Sequence, residues 1–264
     1  MKTEINQEVV LSKNFQPDYE YDLIRMGKNN DGGYLVSEQS ILESEMLISG
    51  GISWDFSFEE QYIDLTKNSV KCFDHTINTK HYFFTWFGIL IQRLLFLSNF
   101  KKIRSAFFNL LKPIKFKKFI KKDKVNFFYI GLGIGDDRYM KLGEIIKKFT
   151  NEEKIFLKID IEGDEYRLMD DLINFSNRFA GLIIEFHHVD IHQNRIADFI
   201  KNIDLTLVHT HINNAGTVSD NKIPTLVEVT FAKNPKKIKS LNYTKHPLDQ
   251  PNLKSKEDPF IKFK

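Results

Sequence analysis

Short apolar runs alternate along this chain with segments in which apolar residues recur every three and four positions. That is the pattern of strands and helices taken in turn around a sheet. Five runs, at 46–50, 70–74, 125–131, 155–160 and 181–186, are each followed by polar or glycine-containing residues. Leu142, Ile145, Ile146 and Phe149 form a helical stripe after the third run, and Leu168, Met169, Leu172 and Ile173 form one after the fourth. Ile196, Phe199, Ile200 and Ile203 repeat the spacing after the fifth. Two further runs, at 205–209 and 226–231, are joined by a loop with Asn213, Asn214, Gly216 and Pro224 and no helical stripe. A parallel crossover usually passes through a helix, so these last two strands are expected to be antiparallel neighbours. The pattern predicts an α/β fold: a Rossmann-like seven-stranded sheet with the last strand antiparallel.

The order breaks between residues 80 and 124. An apolar, aromatic stretch from His81 is interrupted by Gln92 and Arg93, and a lysine-rich stretch follows. The apolar part falls short of the roughly 20 residues that span a bilayer. It reads as a helical basic insertion between the second and third strands. Eleven Lys or Arg stand against the single acid Asp123 between His81 and Lys124, although the whole chain is only +3. The rest is therefore mildly acidic, and an anionic partner is a question for this segment alone. Nucleic-acid binding is not expected from basic residues so confined.

The 264 residues suit one domain: a core over 20–232, the insertion at 80–124, and a polar C-terminal tail over 233–264 expected to run across the surface. One cysteine, Cys72, excludes an intramolecular disulfide and a thiolate zinc cluster. The charged, apolar-poor start, Met1-Lys-Thr-Glu-Ile-Asn, does not read as a signal peptide. The expected compartment is the cytoplasm.

In open α/β sheets ligands bind beyond the carboxyl ends of the strands. There the sequence places Gly50, Gly51, Ile52 and Ser53 after the first run, Asp74 at the end of the second, and Gly131-Leu-Gly133-Ile-Gly135 after the third. Asp160 and Glu162 follow the fourth, Glu185, His187 and His188 the fifth, and His209, His211, Asn213 and Asn214 the sixth. Glycines after the first strand let a ligand approach the backbone, and an acid about 20 residues on can accept hydrogen bonds from ribose hydroxyls. The loop lacks G-x-G-x-x-G, so no pyrophosphate cradle is evident. An adenosyl ligand without phosphates needs none.

Three blocks carry a family resemblance: Arg25-Met-Gly-Lys-Asn-Asn-Asp31-Gly32-Gly33-Tyr34, Ser49-Gly-Gly-Ile-Ser-Trp-Asp-Phe-Ser-Phe-Glu59 and Leu157-Lys-Ile-Asp-Ile-Glu-Gly-Asp-Glu-Tyr166. With His209-Thr-His-Ile-Asn-Asn214 and the run at 223–231, the chain resembles FkbM-type methyltransferases from bacterial surface-polysaccharide (capsule) gene clusters. The resemblance covers roughly residues 21–231 outside the insertion. It departs in the first loop, which reads Gly-Gly-Ile-Ser where Gly-Ile-Gly is usual. It implies the methyltransferase form of the seven-stranded fold, S-adenosylmethionine as cofactor, and O-methylation of a sugar or nucleotide-sugar hydroxyl. It also implies that residues 50–53 line the cofactor, that Asp74 takes the ribose, and that Asp160 and Glu162 sit beside the transferring methyl. Asp31, Gly32, Gly33 and Tyr34 would pack near the methionine end.

Methyl transfer to a hydroxyl needs a group that accepts its proton. His187, His188 and His211 are the histidine candidates and Asp160 the carboxylate one. His209 and His211 share a strand face and could join Asp160, Glu162 or Glu185 on a metal, but no recognisable ligand spacing supports this and no metal is assigned. Glu185, Asn213 and Asn214 are candidates for holding substrate hydroxyls, with a turn as the alternative for the asparagines. Ser57 and Glu60 read as a capping box. The alternatives are a methyltransferase for another small, phosphate-bearing acceptor, and a non-catalytic Rossmann-like binding or membrane-surface module. The insertion has the readings of a solvated helical face, a lid or homo-oligomer element, and a peripheral membrane contact through 82–122. The expectation is that its stripe, Phe83, Phe84, Trp86, Phe87, Leu90, Leu94 and Leu97, is buried by a neighbouring element or a second copy of the chain.

Overall fold

Seven strands build the main sheet of the computed structural model: β1 Met46–Gly50, β2 Ser69–Phe73, β3 Val125–Phe128, β4 Ile155–Ile159, β5 Phe179–His187, β6 Thr206–Ile212 and β7 Leu226–Ala232. Residues 8–96, 98–149, 151–241 and 245–264 are described. The start that does not read as a signal peptide lies outside them, as does Leu97. The strand order is β6-β7-β5-β4-β1-β2-β3. Strands β3, β2, β1, β4 and β5 run parallel, and β7 is antiparallel to both β5 and β6. This is the seven-stranded α/β sheet that the alternation predicts, final reversal included.

The helices are α1 Ser57–Thr66, α2 Thr79–Leu95, α3 Phe100–Leu110, α4 Lys112–Phe119, α5 Leu142–Phe149, α6 Met169–Asn174 and α7 Val189–Asn202, besides a short helix Glu38–Glu43. Because side chains alternate along a strand, the sheet has two unlike faces. On one, Ile48, Leu157, Ile159, Leu182, Ile184 and Val229 form a continuous apolar core with α5, α6 and α7. On the other, Leu47, Val70, Phe156 and Ile183 pack with Phe58 and Tyr62 of α1 and with Phe116 and Phe119 of α4. Each such large side chain, fully buried, contributes roughly 1.5–3 kcal/mol. The second face also carries Lys158, Asp160, Glu185, Glu228 and His211. The hairpin Leu23–Gly27/Gly33–Ser37 covers that polar stretch, and the Thr230 hydroxyl donates to the Leu35 carbonyl at 2.7 Å.

Two expectations are corrected, and a third, burial of the insertion's stripe by a neighbouring element or a second copy, is overturned only for the neighbouring element. The segment after Lys233 does not merely run over the surface: Lys237–Ser240 pairs with Tyr19–Tyr21, and Phe260–Phe263 pairs with Glu8–Leu11. Between these strands Asn252 is buried, and Asp249 and Asp258 face His209 and His211, so polar composition here serves internal pairing. The capping box is not formed. Asp55 accepts from the Ser57 amide and hydroxyl, while Glu60 pairs with Lys122. In the insertion three helices form, but the chain does not cover the stripe. Phe83, Phe84, Phe87 and Leu94 are exposed, and only Trp86 and Leu90 are partly buried. The reason is that α4 supplies the aromatic residues that enter the core, leaving α2 only edge contacts. Among the described residues no helix is long and apolar enough to cross a membrane.

The tail is tested by Asp249→Ala. His209 Nε2 lies 2.9 Å from Asp249 Oδ1, and both side chains are almost wholly buried. Removing one partner of such a pair should lower stability by on the order of 3 kcal/mol in urea denaturation. A loss below about 1 kcal/mol, as for an exposed pair, would mean that strand pairing alone holds the tail.

Candidate functional site

At the carboxyl ends of β1, β2 and β4 lies a cavity of about 290 Å³, walled by Gly51, Ser53, Asp74, Thr76, Asp160 and Glu162, with His75, Leu132, Tyr139 and Asp164 among its other residues. Its floor depends on one glycine. Gly51 has φ +75°, and a Cβ there would overlap the Asp160 carbonyl oxygen. Asp74 fixes the two loops beside it: one carboxylate oxygen accepts from the Ser53 amide at 2.8 Å, the other from the Thr76 amide at 2.8 Å and hydroxyl at 2.6 Å. A carboxylate has about four lone-pair sites, so roughly one remains for a ligand donor. Four of the wall residues are acids, and none is Lys or Arg. This wall attracts a cation and repels a phosphate.

Behind the cavity a row of ionisable side chains crosses the sheet. Ile159 is level with Ile184, Glu185 lies opposite Glu228, and Glu228 opposite His211, so Asp160, Glu185, Glu228 and His211 stand on successive strands of one face. Like charges so placed repel. The Tyr34 hydroxyl sits 3.1 Å from Asp160 Oδ2 and 3.3 Å from Glu185 Oε2. Asn213 donates to the other Glu185 oxygen at 2.8 Å. Burial, with the charges of Asp160 and Glu228, holds the Glu185 carboxyl well above its usual range. The hydroxyl has one proton to give, so a protonated Glu185 and an ionised Asp160 satisfy both contacts. Burial likewise raises Asp160, to about 6, against the pull of the Lys158 and His187 charges. Lys158 is itself buried 3.7 Å from Glu59, which also accepts from Ser49 at 2.5 Å.

His187 completes the Asp160 end. Its Nδ1 donates to Glu165 Oε1 at 3.1 Å, and its Nε2 is 3.4 Å from Glu162 and 4.0 Å from Asp160. Burial disfavours the charged ring, but the Glu165 hydrogen bond and the surrounding carboxylates outweigh it and raise His187 to about 9. It is therefore a cation at neutral pH and not a ready base. Ligand atoms of Asp160, Glu185 and His187 lie within 4.8 Å of one another. The set has the chemistry to share a proton or hold a divalent cation, with Glu165 orienting the imidazole as carboxylates do at metal sites.

The remaining sequence candidates divide. Gly50, Gly51, Ser53, Asp74, Asp160 and Glu162 are at or beside the cavity, whereas the Ile52 side chain is in the core. Of Asp31, Gly32, Gly33 and Tyr34 only Tyr34 reaches the row. The others lie at the hairpin tip, where Asp31 is exposed and Gly32 stands against Asp55. His188 is an exposed residue at the start of α7, with φ +56°. His209 and His211 do not join Asp160, because β7 lies between their strand and β5. His211 instead lies 3.1 Å from Glu228 and 3.5 Å from Asp258, and Asn252 donates to Glu228 at 2.8 Å. Burial again opposes the charge, but these carboxylates raise His211 to about 10. Asn214 is committed to the tail: its amide donates to the Leu253 and Lys256 carbonyls and its oxygen accepts from the Leu253 amide. Both asparagines border a second cavity, of about 820 Å³, at the end of β6, which Lys222, Lys256 and Glu257 also line.

Sequence reasoning missed His75, Tyr139, Asp164 and Glu165. Tyr139 Oη is 3.0 Å from His75 Nε2, and the glycine-rich run at 131–135 lets this ring close against the β2 loop. That run was the available signal. Glu165 is the last acid of the Asp-Ile-Glu-Gly-Asp-Glu block, and its amide-bound carboxylate closes the loop by accepting from Ile161 and Gly163.

No family model matches this sequence, and no curated protein is similar to it. Among solved structures, the chain is similar to an rRNA methylase from Streptococcus thermophilus at 10% identity, over 74% of this chain and 92% of that one, with a TM-score of 0.37. It is similar to a fibrillarin pre-rRNA processing protein of Methanococcus jannaschii at 10% identity, over 83% and 84%, with a TM-score of 0.36. TYW2 of M. jannaschii, solved in complex with AdoMet, is 9% identical over 88% and 99%, with a TM-score of 0.35.

Because His211 has a raised folded pKa, its stabilisation is complete below its unfolded value of about 6.5 and is lost as pH rises through about 10. Thermal unfolding should therefore show a midpoint that falls between pH 7 and 10, and His211→Gln should flatten that fall while lowering the midpoint at pH 7. An unchanged slope in the variant would remove His211 from the balance.

Proposed function

We propose that the chain is an S-adenosylmethionine-dependent methyltransferase of FkbM type that methylates a hydroxyl of a sugar or nucleotide sugar. One observation carries the reading: a glycine-floored cavity at the ends of β1, β2 and β4 has Asp74 and Asp160 in its wall, five residues of the motif blocks beside them (Gly51, Ser53, Ile161, Glu162 and Asp164), and no Lys or Arg. A dinucleotide's pyrophosphate would meet four acids there and no Lys or Arg, whereas a sulfonium and an ammonium group suit such a wall. The sugar acceptor and the FkbM assignment are supported by the sequence blocks, and the polar cavity bordered by Asn213, Lys222 and Lys256 suits a polyhydroxylated or phosphate-bearing acceptor.

In this reading Asp74 and the Ser53 loop hold the ribose, and Gly51 allows the ligand against the backbone. The bound cofactor supplies an electrophilic methyl group. The chain's own task is to take the acceptor's proton, and Asp160 does so. Held near 6, it is mostly ionised at neutral pH yet more basic than an ordinary aspartate. Tyr34, itself in contact with Glu185, keeps its carboxylate oriented, and His187 offsets its charge.

The test is methyl transfer from labelled S-adenosylmethionine to a panel of nucleotide sugars. Asp160→Asn should lower turnover by on the order of 10²–10⁴ with cofactor affinity retained, and the wild-type rate should rise as pH passes through about 6. Asp74→Ala should weaken S-adenosylhomocysteine binding by roughly 1.5–3 kcal/mol in calorimetry. Near-normal turnover of Asp160→Asn would reject it as the base. Activity abolished by EDTA and restored by Mg²⁺ would give its role to a cation held by Asp160, Glu185 and His187.

A further inference from the structure

We infer that the α2–α3 pair is a docking surface for an anionic phospholipid bilayer, independent of the chemistry at the cavity. Helix α2 has no fully buried residue along its 17 positions. Phe84, Phe87, Ile91 and Leu94 follow one another at three- and four-residue steps and form a single exposed stripe. Around the turn into α3 the exposure is greater still: Phe96 is 76% and Phe100 77% accessible. Soluble surfaces seldom leave so many large rings side by side in water.

The charge beside this apolar face selects its occupant. Lys101, Lys102 and Arg104 open α3 and are exposed, and α2 and α3 contain no acid. A second copy of the chain packed face to face would bring two such basic segments together. An anionic lipid surface instead offers apolar depth for the rings and phosphate charge for the lysines, the combination that interfacial helices use.

The pair is also seated so that docking has a direction. Helix α4 fixes the insertion to the core through Phe116 and Phe119, and the Tyr82 ring of α2 packs against Trp54 at a 35° tilt, 4.1 Å between centroids. Trp54 follows Ser53 of the cavity wall, and the insertion begins a few residues after Asp74 and Thr76. Lipid docking therefore holds the carboxyl edge of the sheet close to the membrane, and the preferred acceptor would be one presented there.

The test is co-sedimentation of the full chain with vesicles of phosphatidylglycerol and, separately, of phosphatidylcholine. Binding is expected to the anionic vesicles, to weaken as salt is added, and to be much weaker to the neutral ones. Neutralising Lys101, Lys102 and Arg104 to Gln should weaken partitioning on the order of 100-fold, at about a kilocalorie per mole for each charge. Phe84→Ser with Phe96→Ser should abolish it, and because these rings are exposed the thermal midpoint should not fall. The proposal is overturned if the chain ignores anionic vesicles, or if both sets of variants bind as the wild type does. It is equally overturned if sedimentation velocity shows a dimer that the Phe variants dissociate, which would make a second copy the occupant.

Discussion

Three carboxylates, Asp160, Glu185 and Glu228, stand on neighbouring strands of one largely buried sheet face, and much of the remaining structure limits their mutual repulsion. Water would screen them, but little reaches this face, so protein groups must neutralise or separate the charges. The Tyr34 hydroxyl lies between the first two, Asn213 and Asn252 donate to the second and third, and His187 and His211 supply a positive charge at either end. Glu185, held well above its ordinary range, also removes one charge by keeping its proton.

This constraint explains why pieces distant in sequence meet here. The N-terminal hairpin brings Tyr34 and also Arg25, a cation whose field reaches Glu228, Asp249 and Asp258. The C-terminal segment brings Asp249, Asn252 and Asp258, and it braces the hairpin turn where Asn30 donates to the Pro251 carbonyl. The row thus separates two environments. At the Asp160 end a small acidic cavity opens, with a carboxylate tuned to exchange a proton near neutrality. At the β6 end a larger mixed-charge cavity opens beside Asn213 and Asn214. Hydrogen bonds through Asn213, Glu185 and Tyr34 connect the lining of the second cavity to Asp160 in the wall of the first.

The sheet was legible because its signal is local. Short apolar runs and stripes at three and four positions name each element, and a missing helical stripe announces the reversal of β7. Asp74 and Asp160 were legible for a related reason, since each directly ends a strand whose order in the sheet is fixed by topology. The partners were not. Nothing in the sequence near His211 announces Glu228, Asp258 or Asn252, because pairing across an antiparallel register and a returning tail depends on distant residues. The histidines were read as bases from their ordinary titration range, yet His187 and His211 lie among carboxylates that raise both well above neutrality. The cover of the insertion was illegible for the opposite reason. Its stripe is plain in the sequence, but periodicity states only that a face is apolar and not what covers it.

The central claim is that the acidic, glycine-floored cavity holds an adenosyl ligand next to Asp160. A crystal structure of the chain grown with S-adenosylhomocysteine tests it most directly. The ligand should lie against Gly51, with its ribose on Asp74 and its sulfur turned toward Asp160. A ligand bound only in the larger cavity beside Asn213 and Lys256, or a cavity still empty at saturating ligand, would contradict the account.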